Sequence, residues 1–115
     1  MTTRRTELAK PLFIPLHAHW FDQFAAGTKT TEYRKFGGRW NANTCYPGRP
    51  VLLSNGYSKR NRLSGEIAAA NRVWAKNLPD DVRRAVKDIF GTDDIALMAI
   101  TMRDLKKVEA AEGGQ

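Results

Sequence analysis

Eight residues, Gly27-Thr28-Lys29-Thr30-Thr31-Glu32-Tyr33-Arg34, constrain the fold of this chain more than any other stretch. Upstream of them Trp20, Phe21, Phe24 and Ala25 recur at the i, i+1, i+4, i+5 spacing of one apolar helix face. Gly27 follows as the residue type that tolerates the left-handed position past a helix end, so a helix is expected from about Ala18 to Ala26. From Thr30 the pattern changes to Thr-Thr-Glu-Tyr-Arg-Lys-Phe, in which β-branched and aromatic residues are spaced by charges, as in a strand. On that strand Glu32, Arg34 and Phe36 share one face, and Thr31, Tyr33 and Lys35 share the other. Lys29 stands at the corner between the two elements. One concavity holding Lys29, Glu32 and Arg34 would bind a polar, partly anionic ligand.

The net charge of +7 gains meaning from its position in the chain. Residues 29–62 carry Lys29, Arg34, Lys35, Arg39, Arg49, Lys59, Arg60 and Arg62 against Glu32 alone, and the acidic and basic side chains elsewhere balance. The whole surplus therefore surrounds the candidate pocket, which favours an anionic partner. Lys35, Arg39, Arg49, Lys59, Arg60 and Arg62 are the candidate contacts to a phosphate backbone. Trp40 and Tyr57, embedded among them, are candidate stacking surfaces of the kind single-stranded nucleic-acid sites use, with burial under its loop as a structural plug the alternative for Trp40.

At 115 residues the chain reads as one domain. Residues 1–10 read as a flexible arm, 11–104 as the domain and 105–115 as a flexible tail. Leu12 to Leu16 is a short apolar run whose internal Pro15 suits an edge or bulged strand. Phe36 to Gly48, dense in Gly, Asn and Pro, reads as a long loop, and Arg49 to Leu53 as a strand. A polar basic turn then leads to a strand from about Leu63 to Trp74, where Gly65 and neighbouring alanines allow close approach of another backbone or a ligand.

Pro79, Asp80 and Asp81 announce a second helix. Its apolar stripe, Val82, Ala85, Val86, Ile89 and Phe90, reads as an ordinary packing face, with Asp80 and Asp81 as caps. Ile95 to Met102 is nearly continuous apolar sequence, as expected of a strand buried on both sides.

Cys45, as the one cysteine, allows neither an intrachain disulfide nor a zinc cage. His17 and His19 read as polar residues at a helix entrance, and no metal or cofactor is expected. No apolar run reaches the ~20 residues of a membrane helix, and Met-Thr-Thr-Arg-Arg-Thr-Glu lacks a signal-peptide core. A cytoplasmic, monomeric protein without membrane attachment is the expectation.

The pattern G-x-K-x-x-E-x-R, met by Gly27, Lys29, Glu32 and Arg34 after an aromatic-rich helix, resembles the signature of the ASCH domain family, small β-barrels related to the PUA RNA-binding fold. An apolar strand before the helix, Pro47-Gly48 leading into Val51-Leu52-Leu53, and a later strand with Gly65 agree in order. The resemblance covers roughly residues 11–104. It implies an α+β fold, a small PUA-like mixed β-barrel of about five to six strands with two flanking helices.

For function the resemblance implies a module that binds single-stranded RNA or a modified nucleotide through Lys29, Glu32 and Arg34, with Tyr57 and Trp40 alongside. The alternative is a metal-independent hydrolase acting on RNA or on an N4-acylated cytidine nucleoside, with Lys29 as base and Glu32 as proton relay. One subgroup of the family hydrolyses N4-acetylcytidine nucleosides with a lysine, a threonine nucleophile three residues later and a distant glutamate. Here Lys29 matches the lysine, Glu32 occupies the nucleophile's position, and Thr30 and Thr31 are displaced from it. A protein-interaction module whose basic face meets an acidic partner is a third reading.

Overall fold

A computed structural model describes residues 10–108, so most of the arm and tail expected at the two ends lies outside the described residues. The element order is β1 (Leu12–Leu16), α1 (Ala18–Ala26), β2 (Thr31–Lys35), β3 (Pro50–Asn55), β4 (Arg62–Trp74), a 3-10 turn (Ala75–Asn77), α2 (Asp80–Phe90) and β5 (Ala96–Lys107). Among the described residues the strands form one mixed five-stranded sheet in the order β1-β3-β4-β5-β2. β1 runs parallel to β3, and every other pairing is antiparallel. The sheet curls into a half-barrel carrying two α-helices, the α+β architecture expected.

β1 alternates as its sequence requires, with Leu12, Ile14 and Leu16 buried, and Pro15 is accommodated because β1 lies at the sheet edge. β5 separates two cores. Met98, Ile100 and Met102 join the main cluster, which gathers β1, β3, β4 and α1, while Leu97 points the other way, to Ala75 and Val86. Burial on both faces explains why this strand reads as a continuous apolar run. β5 also continues to Lys107, with Lys106 and Lys107 paired to Ser64 and Leu63, residues that the sequence assigned to the tail.

β4 departs from strict alternation. Register shifts lie between Ser64 and Glu66 and between Ile67 and Ala69, so Ile67 and Ala70 both pack on the main core and Val73 on the second. An odd residue in a strand flips everything beyond it. At the first shift Gly65 lies against the Arg103 carbonyl, and an added Cβ would sit 2.7 Å from that oxygen. This is the close backbone approach that the small residue allows.

The long loop after β2 is ordered by Asn41 and Thr44. The Asn41 side chain donates to the carbonyls of Gly37 and Gly38, its Oδ1 accepts from the backbone of Asn43 and Thr44, and the Thr44 hydroxyl donates to the Arg39 carbonyl. Trp40 and Cys45 are thereby turned inward onto the main core. Among the described residues no helix is long and apolar enough to cross a membrane.

Candidate functional site

α1 ends in a Schellman motif that fixes where Lys29 stands. Gly27 is left-handed at φ 79°, its N–H reaches the Phe24 carbonyl at 3.1 Å, and the N–H of Thr28 reaches the Gln23 carbonyl at 3.0 Å. The Thr28 hydroxyl and the Lys29 N–H converge on that same Gln23 oxygen, at 3.1 and 3.3 Å. Lys29 is thus pinned to the helix end before β2 begins. Its ammonium lies 5.0 Å from the Trp20 ring centre, 5.6 Å from Phe24 and 5.8 Å from Tyr33. Three rings attract the cation without using its N–H donors. Among the described residues it forms no ion pair.

Glu32 and Arg34 are neighbours on one face of β2, as the spacing requires. The Arg34 Nε donates to Glu32 Oε2 at 2.7 Å, and both side chains are largely buried. Arg34 also donates to the Pro15 carbonyl on β1, and its guanidinium lies 4.9 Å from the Trp40 ring centre. It therefore ties the two outer strands of the sheet together while holding the Glu32 carboxylate in place. Glu32 Oε1 has no protein donor among the described residues.

A cleft of about 310 Å³ opens between the α1–β2 corner and α2. Trp20, Lys29, Glu32 and Tyr33 form one wall, and Asp81, Val82, Ala85, Ile89 and Phe90 form the other. α2 packs on the second core through Val86 and Val82, as its stripe suggests, but Ile89 is 73% exposed. The stripe therefore also roofs the cleft. Asp80 and Asp81 do not cap α2 through their side chains; Asp80 pairs with Arg83 and Asp81 faces the cleft.

A second hollow of about 410 Å³ adjoins the first. The two share Tyr33, Ile89 and Phe90, and the second adds Pro15, His17, Arg34, Lys35 and Tyr57. Lys29 and Glu32 thus converge on one cleft, while Arg34 stands behind Glu32 and opens onto the neighbouring hollow. Tyr57 is exposed beside that hollow. Trp40 lines neither, since it packs on the core between Arg34 and Arg39.

The six cations expected to track a phosphate backbone divide in two. Lys35, Arg39, Lys59 and Arg60 are exposed. Arg49 donates to the carbonyls of Lys10 and Thr44, and Arg62 donates to the Ser58 carbonyl and lies over Phe13, so both are structural ties. Thr31 bonds to Thr101 through its hydroxyl, and neither it nor Thr30 lines the cleft. Among the described residues no cluster of His, Cys, Asp and Glu is placed to hold a metal ion.

Sequence reasoning missed Trp20, Tyr33, Asp81, Ile89 and Phe90 as cleft residues. The α2 stripe carried no signal of this, since its i, i+3, i+4, i+7, i+8 spacing is that of any helix packed on a sheet.

No family model matches the sequence, and no curated protein matches it. Among solved structures the chain is similar to the ASCH protein from Zymomonas mobilis, with 15% identity over 83% of this chain and 68% of that one and a TM-score of 0.60. A serine-to-alanine mutant of that protein gives 13% identity over 87% and 74% of the two chains, with a TM-score of 0.59. A tyrosine-to-phenylalanine mutant gives 14% identity over 84% and 73%, also at 0.59. The likeness establishes an ASCH-like fold.

Proposed function

We propose that the cleft beside Lys29 binds a nucleotide, free or within single-stranded RNA, so that this ASCH-like domain acts as a nucleotide-recognition module. The observation that carries the reading is the Lys29 ammonium, caged by Trp20, Phe24 and Tyr33 yet left without an ion pair among the described residues. Such a group offers hydrogen-bond donors to a phosphate or a base carbonyl. Trp20, Tyr33 and Phe90 supply flat apolar walls for a planar base, and Glu32 in the same lining would accept from an exocyclic amine. A volume of about 310 Å³ suits one nucleoside. The basic surplus of residues 29–62 would draw an anion toward the mouth.

Calorimetric titration with nucleosides, nucleoside 5′-monophosphates and short oligoribonucleotides tests this. The parent protein binds at least one of them, and Lys29→Gln and Glu32→Gln each weaken binding by about tenfold or more. A parent protein that binds none of these ligands overturns the proposal.

A second reading, metal-independent hydrolysis, is favoured by one observation: Lys29 and Glu32 line the same cleft without pairing to each other. A base and a proton relay would then flank a bound ester or amide, with water or the RNA 2′-hydroxyl as nucleophile in place of a threonine. Turnover that survives a chelator and is abolished by Lys29→Ala and Glu32→Gln supports it. Unaltered turnover in both folded variants removes it.

A further inference from the structure

We infer that the site takes two consecutive nucleotides of a single strand, with the first base in the Lys29 cleft and the linking phosphate and second base in the hollow beside Tyr57. This rests on the nucleotide reading of the Lys29 cleft and deepens it by naming the ligand class. The two hollows share Tyr33, Ile89 and Phe90 in their walls, so they lie side by side and adjacent nucleotides of one strand can occupy them.

Their charges differ in the sense a polynucleotide requires. The first hollow sets Glu32 and Asp81 against Lys29 and suits the hydrogen-bonding edge of a base. The second is lined by Arg34, Lys35 and His17 and by no acidic side chain, so a phosphodiester is better placed there. Arg34 commits its Nε and one terminal nitrogen to Glu32 and Pro15, which leaves Nη1 for a phosphate oxygen. Lys35 is exposed and rests 5.9 Å from the centre of the Phe90 ring, at the junction between the hollows.

Tyr57 supplies the second stacking surface. It is 78% exposed, an unusual state for a large ring on a small domain. The ring is nevertheless backed, since Phe13 lies 5.9 Å away with Arg62 over it at 5.3 Å. Gly56 fixes the turn by its left-handed φ of 60° and by donating to the Leu16 carbonyl at 2.7 Å. A supported, exposed ring beside cations costs little to order when a base stacks on it.

The test measures affinities of cytidine and adenosine 5′-monophosphates, the four ribodinucleotides built from those bases, and a ten-base-pair duplex. The parent protein is expected to bind a dinucleotide at least about tenfold more tightly than the better mononucleotide, and more tightly than the duplex. Tyr57→Ala and Lys35→Gln, both changes at exposed positions, are expected to bring dinucleotide affinity down to the mononucleotide level.

Mononucleotide binding with no gain from the second nucleotide overturns the inference and leaves the nucleotide reading standing. So does a dinucleotide gain that survives both substitutions, or a preference for the duplex. Absence of binding to every probe overturns both.

Discussion

Arg34, on one outer strand of the sheet, donates a 2.5 Å hydrogen bond to the carbonyl of Pro15 on the other. The same guanidinium holds Glu32 at 2.7 Å and packs on Trp40, so one side chain joins the closure of the half-barrel to the back wall of the cleft. Arg34→Ala would leave a largely buried carboxylate without its cation, and stability should fall by about 2–3 kcal/mol. Arg34→Lys should not restore it, because one ammonium cannot reproduce the two directed donors of the fork. Urea unfolding of both variants decides this, and a loss below about 0.5 kcal/mol for Arg34→Ala would remove the closing role.

Gly65 makes the second structural prediction. A Cβ there would meet the Arg103 carbonyl at 2.7 Å and Leu105 Cδ2 at 2.8 Å. The leucine can rotate away, but the carbonyl belongs to β5 and cannot. Gly65→Ala should therefore cost about 2–3 kcal/mol, with little relief from Leu105→Ala in the same chain. Thermal melting of the single and double variants separates the backbone clash from the side-chain clash, since full rescue by Leu105→Ala would place the strain on the leucine alone.

Local patterns carried the elements and the motif corner. Gly27 announced the end of α1, and the i, i+2 spacing of Glu32 and Arg34 announced their pairing, because a helix stop and a strand face are set by nearest neighbours in the chain. What did not show was long-range. That Arg34 would reach Pro15 depends on which strands become edges, and Lys29 drew its rings from two elements brought together by the corner, Trp20 and Phe24 on α1 and Tyr33 on β2.

The α2 stripe misled for a related reason. An apolar face looks the same in sequence whether it meets a sheet or roofs a cleft, and Ile89 and Phe90 do the latter. Trp40 was legible only as one of two choices, and the inward turn of its loop by Asn41 and Thr44 decided it. The extra residue in β4 between Ile67 and Ala69 flips side chains without altering composition, so Ala70 could not be placed from alternation.

Asp94 gives the pH-dependent prediction. The hydrogen bond from Lys76, at 3.2 Å, and then that from Trp74 Nε1, at 3.1 Å, hold its carboxyl below the ordinary value of 3.8. A carboxylate depressed on folding adds stability above its unfolded pKa and loses it as pH falls through the folded one. The contribution is thus present at neutral pH and disappears in acid below the usual carboxylate range. Carbon-13 titration of the Asp94 carboxyl should give a midpoint under 3.8, returning upward in Lys76→Ala. A parent midpoint at or above the ordinary value would contradict the geometry.

The division among the basic residues separates stability from binding. Arg49 is tied to the Thr44 carbonyl at 2.6 Å and to the Lys10 carbonyl at 3.1 Å, so Arg49→Ala should cost about 1–2 kcal/mol of stability. Lys59 and Arg60 are exposed on the turn after Tyr57, and their alanine variants should change stability by no more than about 0.5 kcal/mol. If a single strand passes that turn, each cation that meets a phosphate contributes about −0.7 to the slope of log affinity against log salt. Lys59→Ala and Arg60→Ala should then flatten the slope measured with an oligoribonucleotide, by about that amount for each phosphate left without its cation. Identical slopes in parent and variants, with binding retained, would mean that the strand leaves the second hollow in another direction.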